Sequence, residues 1–176
     1  MKQFIAIFIC LILSLNCANA VIIDGGIEYT QEIAAEEVFR EPAENISYNR
    51  IAYHFIDSGY EENISTIASG ITKLKNRKVG KFSDGTYGVM YYDDPLYDWY
   101  YTSNGRLINF TKKNSLEYPI KITKYKPDGT VANTGLKVSD NESFIFSING
   151  QLIAHWKGNL CFDKANNVIM TRKNAE

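Results

Sequence analysis

The sequence predicts an α+β fold in which an N-terminal helical segment packs on an antiparallel β-meander or partly rolled sheet of hairpin repeats. Two observations support this prediction. Apolar residues recur at helical spacing up to residue 78, and from Val79 onward short β-rich runs alternate with Asn-Gly, Asp-Gly and Gly-Asn dipeptides. We therefore divide the chain into a signal peptide at 1–20, an acidic helical segment at 21–78 and an antiparallel β domain at 79–176.

The first twenty residues have the parts of a secretory signal peptide. Lys2 is followed by an apolar run from Phe4 to Leu15 and by the small-residue end Ala18-Asn19-Ala20. The apolar run is shorter than the ~20 residues that span a bilayer. We expect cleavage after Ala20, a periplasmic or secreted location, and no integral membrane segment after cleavage.

Cleavage would leave Cys161 as the single cysteine. One thiol cannot form an internal disulfide, so a packed core must hold the fold together. The remaining chain of roughly 150 residues is long enough for such a core. We expect Cys161 to be a small buried hydrophobic residue. The alternative is an intermolecular disulfide, because the expected compartment is oxidising.

Charge is distributed unevenly along the chain. Residues 21–62 carry ten acidic side chains against Arg40 and Arg50, whereas residues 63–176 carry sixteen Lys and Arg side chains against ten acids. Either the acidic segment docks on the basic remainder of the same chain, or the basic part faces an anionic partner. Internal docking is the simpler interpretation because it needs no second molecule. Nucleic acid is not expected as the partner, since the positive charge is modest and the compartment is wrong.

Two helices are predicted in the acidic segment. The first runs from Thr30, a capping residue, to Arg40 and stops before Pro42. The second has one apolar stripe and ends in basic residues, which suits the helix dipole. Its stripe consists of Ile64, Ile67, Ala68, Ile71 and Leu74, and its basic end of Lys73, Lys75, Arg77 and Lys78. Between the two helices, residues 49–57 fit either a strand or a helix.

Nine strands are predicted after Val79. The intervals between them are too short for a crossover helix, so the sheet should be antiparallel. The predicted strands are Thr86–Tyr92, Leu96–Thr102, Arg106–Thr111, Pro119–Tyr125, Thr130–Val138, Ser143–Ser147, Gln151–Trp156, Asn159–Asp163 and Val168–Arg172.

Several predicted turns share the pattern aromatic-x-x-[Asn/Asp]-Gly-x-aliphatic. Copies begin at Tyr101, Tyr125 and Phe146, and a degraded copy begins at Phe162. Each copy ends one strand, turns through a dipeptide that tolerates positive φ, and starts the next strand. The stretch from Tyr101 through Asn-Gly to Leu-Ile-Asn-Phe-Thr resembles YD (Rhs-type) repeats, and less closely MORN repeats, over residues 101–172. This resemblance implies a secreted or surface-associated scaffold whose repeats contain no catalytic residues.

Few residues of the sequence suggest catalysis. After cleavage the chain contains two histidines, His54 and His155, and no His-x-x-x-His or Cys-x-x-Cys spacing, nucleophile elbow or phosphate-binding glycine loop. We therefore expect neither a metal nor a cofactor. Cys161 could form a thiol dyad with one of the histidines only if the fold brought the two side chains together.

Three carboxylates, Asp93, Asp94 and Asp98, cluster around Pro95. Two neighbouring acids could serve a glycosidase. Asp-Asp-Pro between strands is also ordinary turn chemistry, with a weak calcium-binding loop as a variant. The turn is the favoured interpretation.

The most unusual stretch of the sequence runs from Tyr87 to Tyr101 and holds seven aromatic residues in fifteen. Strand alternation places Tyr97, Trp99 and Tyr101 on one face and Tyr100 on the other. These aromatics either form the core and cross-strand pairs of a sheet, or partly form an exposed platform for a sugar ring, a peptide or a protein. The candidate ligand-binding residues are Tyr91, Tyr97, Trp99 and Tyr101.

These observations together predict an exported, non-enzymatic binding or scaffold module that acts in the cell envelope or outside the cell. Its aromatic hairpin surface would bind an envelope glycan or protein. Two alternatives stay open. One is an envelope hydrolase of glycosidase type that uses Asp93, Asp94 and Asp98. The other is an immunity or inhibitor protein whose acidic segment docks on a basic partner.

Overall fold

A computed structural model describes residues 22, 23, 26–56, 64 and 66–171. Eleven antiparallel strands form one sheet, and each strand pairs with its neighbours in sequence, so the sheet is a meander. A short hairpin of β1 (Ile22–Ile23) and β2 (Gly26–Ile27) and one helix, α1 (Gln31–Phe39), precede the sheet. The predicted signal peptide lies outside the described residues.

The predicted strands after Val79 are confirmed as β5 to β13, with ends displaced by no more than about two residues. The strands of the sheet are β3 (Gly70–Lys73), β4 (Arg77–Lys81), β5 (Tyr87–Tyr91), β6 (Tyr97–Tyr101), β7 (Leu107–Lys113), β8 (Ile120–Tyr125), β9 (Val131–Ser139), β10 (Glu142–Ser147), β11 (Leu152–Lys157), β12 (Leu160–Phe162) and β13 (Val168–Thr171). The edge strands β3 and β13 do not pair with each other, so the sheet is not closed on itself.

The first predicted helix is confirmed as α1. Thr30 is its N-cap, and the Thr30 hydroxyl accepts a hydrogen bond from the backbone N–H of Ile33 at 3.3 Å. The ambiguous segment that follows forms two 3₁₀ turns, Tyr48–Arg50 and Ala52–His54. The α+β class therefore holds only in the coarse sense of a large sheet with one short helix. No described helix is long and apolar enough to cross a membrane.

The second predicted helix is wrong where the structure describes it, because its residues form β3 and β4. Gly70 has a φ of +132°, which an α-helix does not contain. β4 pairs along its whole length with β5, where Val79 lies opposite Val89. Ile71, a member of the predicted apolar stripe, is 58% exposed. Strand pairing therefore outweighed the local helical period, as tertiary context often does.

Five turns at one end of the sheet have the same two backbone hydrogen bonds. In one of them, the Thr102 N–H donates to the Arg106 carbonyl at 2.8 Å and the Gly105 N–H donates to the Thr102 carbonyl at 3.0 Å. The fourth residue of each turn has positive φ, and these residues are Gly85, Gly105, Gly129, Gly150 and Asn166. The sequence pattern missed the turn at Gly85, because Lys81 stands where the other copies have an aromatic residue.

The N-terminal part of the chain covers one face of the sheet. Helix α1 packs on β9 and β10, where Val38 joins a buried cluster with Phe144 and Phe146. The following segment packs over β6 to β8, where Ile51 joins the larger buried cluster. We call residues 30–56 the N-terminal cover, the face beneath them the covered face, and the opposite face the open face. Directly paired residues of antiparallel strands point to the same face, so the register assigns each strand residue to one of the two.

Adding a methyl group at Gly129 should loosen the N-terminal cover. A Cβ atom there would stand 2.1 Å from the carbonyl oxygen of Ile46, whereas Gly158, which also has positive φ, has open space around it. We expect Gly158→Ala to lower the free energy of unfolding by about 1–2 kcal/mol, the usual cost of a left-handed L-residue. Gly129→Ala should lower it distinctly more. Urea unfolding measures both changes, and equal losses would contradict the role of the contact with Ile46.

Candidate functional site

Three of the four predicted ligand-binding residues are buried. Tyr97, Trp99 and Tyr101 alternate along β6 on the covered face and are 8%, 3% and 1% exposed. Tyr91 of β5 is partly buried against the same cluster. Of the two alternatives, the one in which Tyr97, Trp99 and Tyr101 form part of the core is confirmed, and these three side chains do not form an exposed platform. The reason is the N-terminal cover, whose docking position local sequence patterns do not specify.

The aromatic rings of the covered face form a continuous stack. The ring of Trp99 lies 4.8 Å from that of Phe110, which lies 5.0 Å from that of Tyr125. From the cover, the His54 ring stacks on Trp99 at 3.7 Å, with 14° between the two planes. Aromatic pairs contribute about 0.5–1.5 kcal/mol each beyond the burial of their area. His54 is therefore a packing residue that joins the cover to the sheet.

The three carboxylates of the predicted hydrolase site have different structural roles. Asp98 lies on the open face, where Oδ1 accepts a hydrogen bond from Lys113 Nζ at 2.8 Å and Oδ2 accepts one from the Thr111 hydroxyl at 3.2 Å. Asp93 and Asp94 are exposed in the turn before β6, as the turn interpretation predicts. Among the described residues, no group of three or more His, Cys, Asp or Glu side chains is placed to hold a metal. Hydrolysis by these carboxylates stays a prediction.

Cys161 and His155 lie on adjacent strands but point to opposite faces. Cys161 pairs with Trp156, whereas His155 pairs with Phe162, so the thiol and the imidazole are directed apart. Cys161 is 3% exposed, and burial raises the pKa of its thiol. The expectation of a small buried hydrophobic residue at this position is confirmed. His155 Nε2 instead lies 2.9 Å from Oε1 of Glu142.

The open face carries five of the ten basic side chains of the described strands. The register places Lys73, Lys78, Lys113, Lys124 and Lys137 on this face. Asp98, which Lys113 already neutralises, is the one carboxylate that a described strand contributes to the open face. The side chains of Lys78 and Lys124 form no hydrogen bond or ion pair within the described part of the chain. The described residues of the acidic segment that form the N-terminal cover lie on the other face, so they do not neutralise these lysines.

Two shallow depressions adjoin on the open face, and Tyr100 borders both. The first, of about 370 Å³, is lined by Lys78 and Phe82. The second, of about 270 Å³, is lined by Ile122 and Lys124. Pockets for small molecules usually enclose ~300–1,000 Å³, so both depressions are near or below the lower limit. This surface is suited to an extended ligand that lies along it.

Tyr100 is the central aromatic residue of the open face. Its ring rests on Gly88, where an added Cβ atom would stand 3.0 Å from Cε1 of Tyr100. The neighbouring Gly80 has nothing within 4 Å of such an atom, so the floor beside the ring is open. Burial, and then the charge of Asp98, raises the pKa of Tyr100 to about 12. In the sequence, strand alternation already places Tyr100 on the face opposite Tyr97, Trp99 and Tyr101. That pattern was the signal that could have identified Tyr100 as a candidate binding residue.

No protein-family model, curated protein or solved structure matches this chain. The resemblance of residues 101–172 to YD or MORN repeats stays a prediction.

Loss of the Trp99 ring should strongly destabilise the protein. Trp99 is buried between His54 and Phe110, so we expect Trp99→Ala to lower the free energy of unfolding by about 3–5 kcal/mol. Tyr92→Ala removes an exposed ring from the same aromatic stretch and should cost much less, roughly 0.5 kcal/mol. Chemical denaturation of the two variants provides the comparison. If both substitutions lowered the free energy of unfolding by a similarly small amount, the burial of Trp99 would be contradicted.

The phenol of Tyr100 should make the protein less stable above pH 10. Its pKa rises from an ordinary value of 10.0 to about 12 on folding, so the neutral form is favoured in the folded state. The stabilisation is complete below pH 10 and is lost as the pH rises towards 12. The free energy of unfolding should fall more steeply over this range for the wild type than for Tyr100→Phe. Parallel pH profiles of the two proteins would contradict this expectation.

Proposed function

We propose that the protein is an exported, non-enzymatic binding module whose open face holds an acidic polysaccharide of the cell envelope or its surroundings. The observation that carries this proposal is the set of lysines and apolar depressions around Tyr100. In this proposal the aromatic residue that binds the ligand is Tyr100, which lies on the opposite face of β6 from the candidates Tyr97, Trp99 and Tyr101. Export follows from the signal-peptide pattern of residues 1–20.

The spacing of the lysines supports a polymeric anion. Lys78 lies on β4 and Lys124 lies on β8, four strand steps away in the same sheet. Strands are ~4.8 Å apart, so roughly 19 Å separate the two positions across the sheet. One small anion cannot contact both ammonium groups, whereas a linear chain with repeated charges can. The ion pair of Asp98 with Lys113 leaves little negative charge between them to oppose such a ligand.

The uncharged groups of the open face support a sugar polymer. The ring of Tyr100 offers a flat apolar surface, which suits the apolar side of a sugar ring. Thr111, Asn133 and Ser143 bring hydroxyl and amide groups to the adjoining depression. A few placed polar groups on an apolar surface are the usual means of orienting a ligand. A polysaccharide of uronic acids combines carboxylates with hydroxyls at this scale.

The purified protein should bind immobilised polygalacturonate and should not bind neutral dextran. The double substitution Lys78→Gln/Lys124→Gln should weaken binding at least about tenfold, which corresponds to about 1.4 kcal/mol. Tyr100→Ala should weaken it as well. Because the attraction is largely electrostatic and exposed, affinity should fall as salt is added. Biolayer interferometry at two salt concentrations measures each of these effects.

A matched control removes the same charge elsewhere. Lys126 and Lys164 lie exposed in turns at the end of the sheet, so Lys126→Gln/Lys164→Gln should leave the affinity nearly unchanged. If the two double variants lost the same affinity for polygalacturonate, the effect would come from net charge alone, and the proposed binding site would be contradicted. Tighter binding to polyglutamate than to polygalacturonate would assign an acidic peptide instead of a glycan.

A further inference from the structure

The covered face holds a separate polar groove between the N-terminal cover and strands β7 and β8. Its volume is about 580 Å³, well within the ~300–1,000 Å³ range of ligand sites. Lys112 and Thr123 contribute its floor, and Glu44 and Arg50 line it from the cover. Lys112 and Thr123 point to the covered face, and Lys113 borders both this groove and the first depression of the open face.

Of the four cationic residues that line this groove, Arg50 and Lys112 lie on opposite sides of it. Arg50 belongs to the first 3₁₀ turn of the cover and Lys112 belongs to β7. Within the described residues, neither side chain makes a hydrogen bond or an ion pair. Lys121 differs, because its ammonium group donates to the carbonyl oxygen of Glu41 and ties the cover to the sheet. The groove is also lined by the carboxylates of Glu41 and Glu44, but neither forms an ion pair with Arg50 or Lys112. A cation without an ion-pair partner favours an anion, and a guanidinium group binds a carboxylate through two parallel hydrogen bonds.

A row of polar side chains crosses the covered face, and its two middle members, Lys112 and Thr123, line the groove. Tyr97 pairs with Lys112, Lys112 with Thr123, and Thr123 with Thr134. The hydroxyls at the two ends of this row, on Tyr97 and Thr134, belong to residues that are only 8% and 4% exposed. Neither hydroxyl has a hydrogen-bond partner within the described residues. Tyr97 and Thr134 do not line the groove themselves, so the two unpartnered hydroxyls lie beside its floor.

The cover brings its charge close to this row. Burial raises the pKa of the Tyr97 phenol, and the positive charge of Arg50 opposes that rise. The phenol of Tyr125, which also lines the groove, has its pKa raised by burial, while its hydrogen bond with Thr123 acts in the opposite direction. The groove thus brings cations, the carboxylates of Glu41 and Glu44, and hydroxyls together at one site.

We infer that this groove binds a small hydroxylated carboxylate of about the size of a monosaccharide acid. The carboxylate of the ligand lies between Arg50 and Lys112. Its hydroxyls donate to the Glu44 carboxylate and exchange hydrogen bonds with Thr123. The inference does not rest on the proposed function, because none of these residues lies on the open face.

Titration calorimetry of the full protein with D-glucuronate, D-glucose and acetate at constant ionic strength tests this inference. We expect D-glucuronate to bind at least about tenfold more tightly than either other compound, since glucose lacks the carboxylate and acetate lacks the hydroxyls. Arg50→Gln and Lys112→Gln should each weaken D-glucuronate binding about tenfold or more. Lys126→Gln, which removes a charge from an exposed turn, should leave it unchanged.

Two further measurements separate this site from the alternatives. The Lys78→Gln/Lys124→Gln protein should keep its affinity for D-glucuronate, because those lysines lie on the open face. Near-ultraviolet circular dichroism should show that Arg50→Gln and Lys112→Gln retain the wild-type aromatic packing. The inference is overturned if the wild type does not bind D-glucuronate, if binding survives both groove substitutions, or if inorganic phosphate displaces D-glucuronate at equal concentration.

Discussion

The ring stack between the N-terminal cover and the sheet is the interaction on which the rest of the structure depends. His54 lies on Trp99, and the stack continues across the strands through Phe110 to Tyr125. A single-layer sheet must bury one face to be stable in water. The cover accomplishes this with one short helix and a segment of 3₁₀ turns. Its position on this face therefore decides which side chains of the sheet remain accessible to a ligand.

The same choice of face explains the uneven charge of the sequence. The sequence allowed two explanations of this charge, internal docking of the acidic segment and an anionic partner. In the structure, each explanation applies to a different face of the sheet. On the covered face, Lys121 contacts the acidic segment through the carbonyl oxygen of Glu41. On the open face, the side chains of Lys78 and Lys124 form no ion pair within the described chain. Docking of the acidic segment thus engages Lys121 on the covered face, and the positive charges of Lys78 and Lys124 remain available to a ligand on the open face.

The reactive side chains of the chain take part in packing and pairing. Asp98 is neutralised by Lys113 and hydrogen-bonded to Thr111, and Cys161 is buried on the face opposite His155. Each of these residues has a structural role that accounts for its position. The groups that lack such an account are the lysines around Tyr100 and the polar row beneath the cover. Both sets are suited to binding an anion, the lysines around Tyr100 an acidic polysaccharide and the polar row a small hydroxylated carboxylate.

The sequence by itself determined the meander, because strand alternation and Asn-Gly or Asp-Gly turns are local signals with a local physical cause. It also determined α1, through the Thr30 cap and the stop before Pro42, and the separation of Tyr100 from Tyr97, Trp99 and Tyr101. The tertiary structure alone decided that β3 and β4 replace the predicted second helix, since Gly70 and the pairing of Val79 with Val89 override an apolar period that both structures can satisfy. It alone decided which face is covered, because the docking of residues 30–56 on strands far away in the chain depends on contacts that no local pattern encodes.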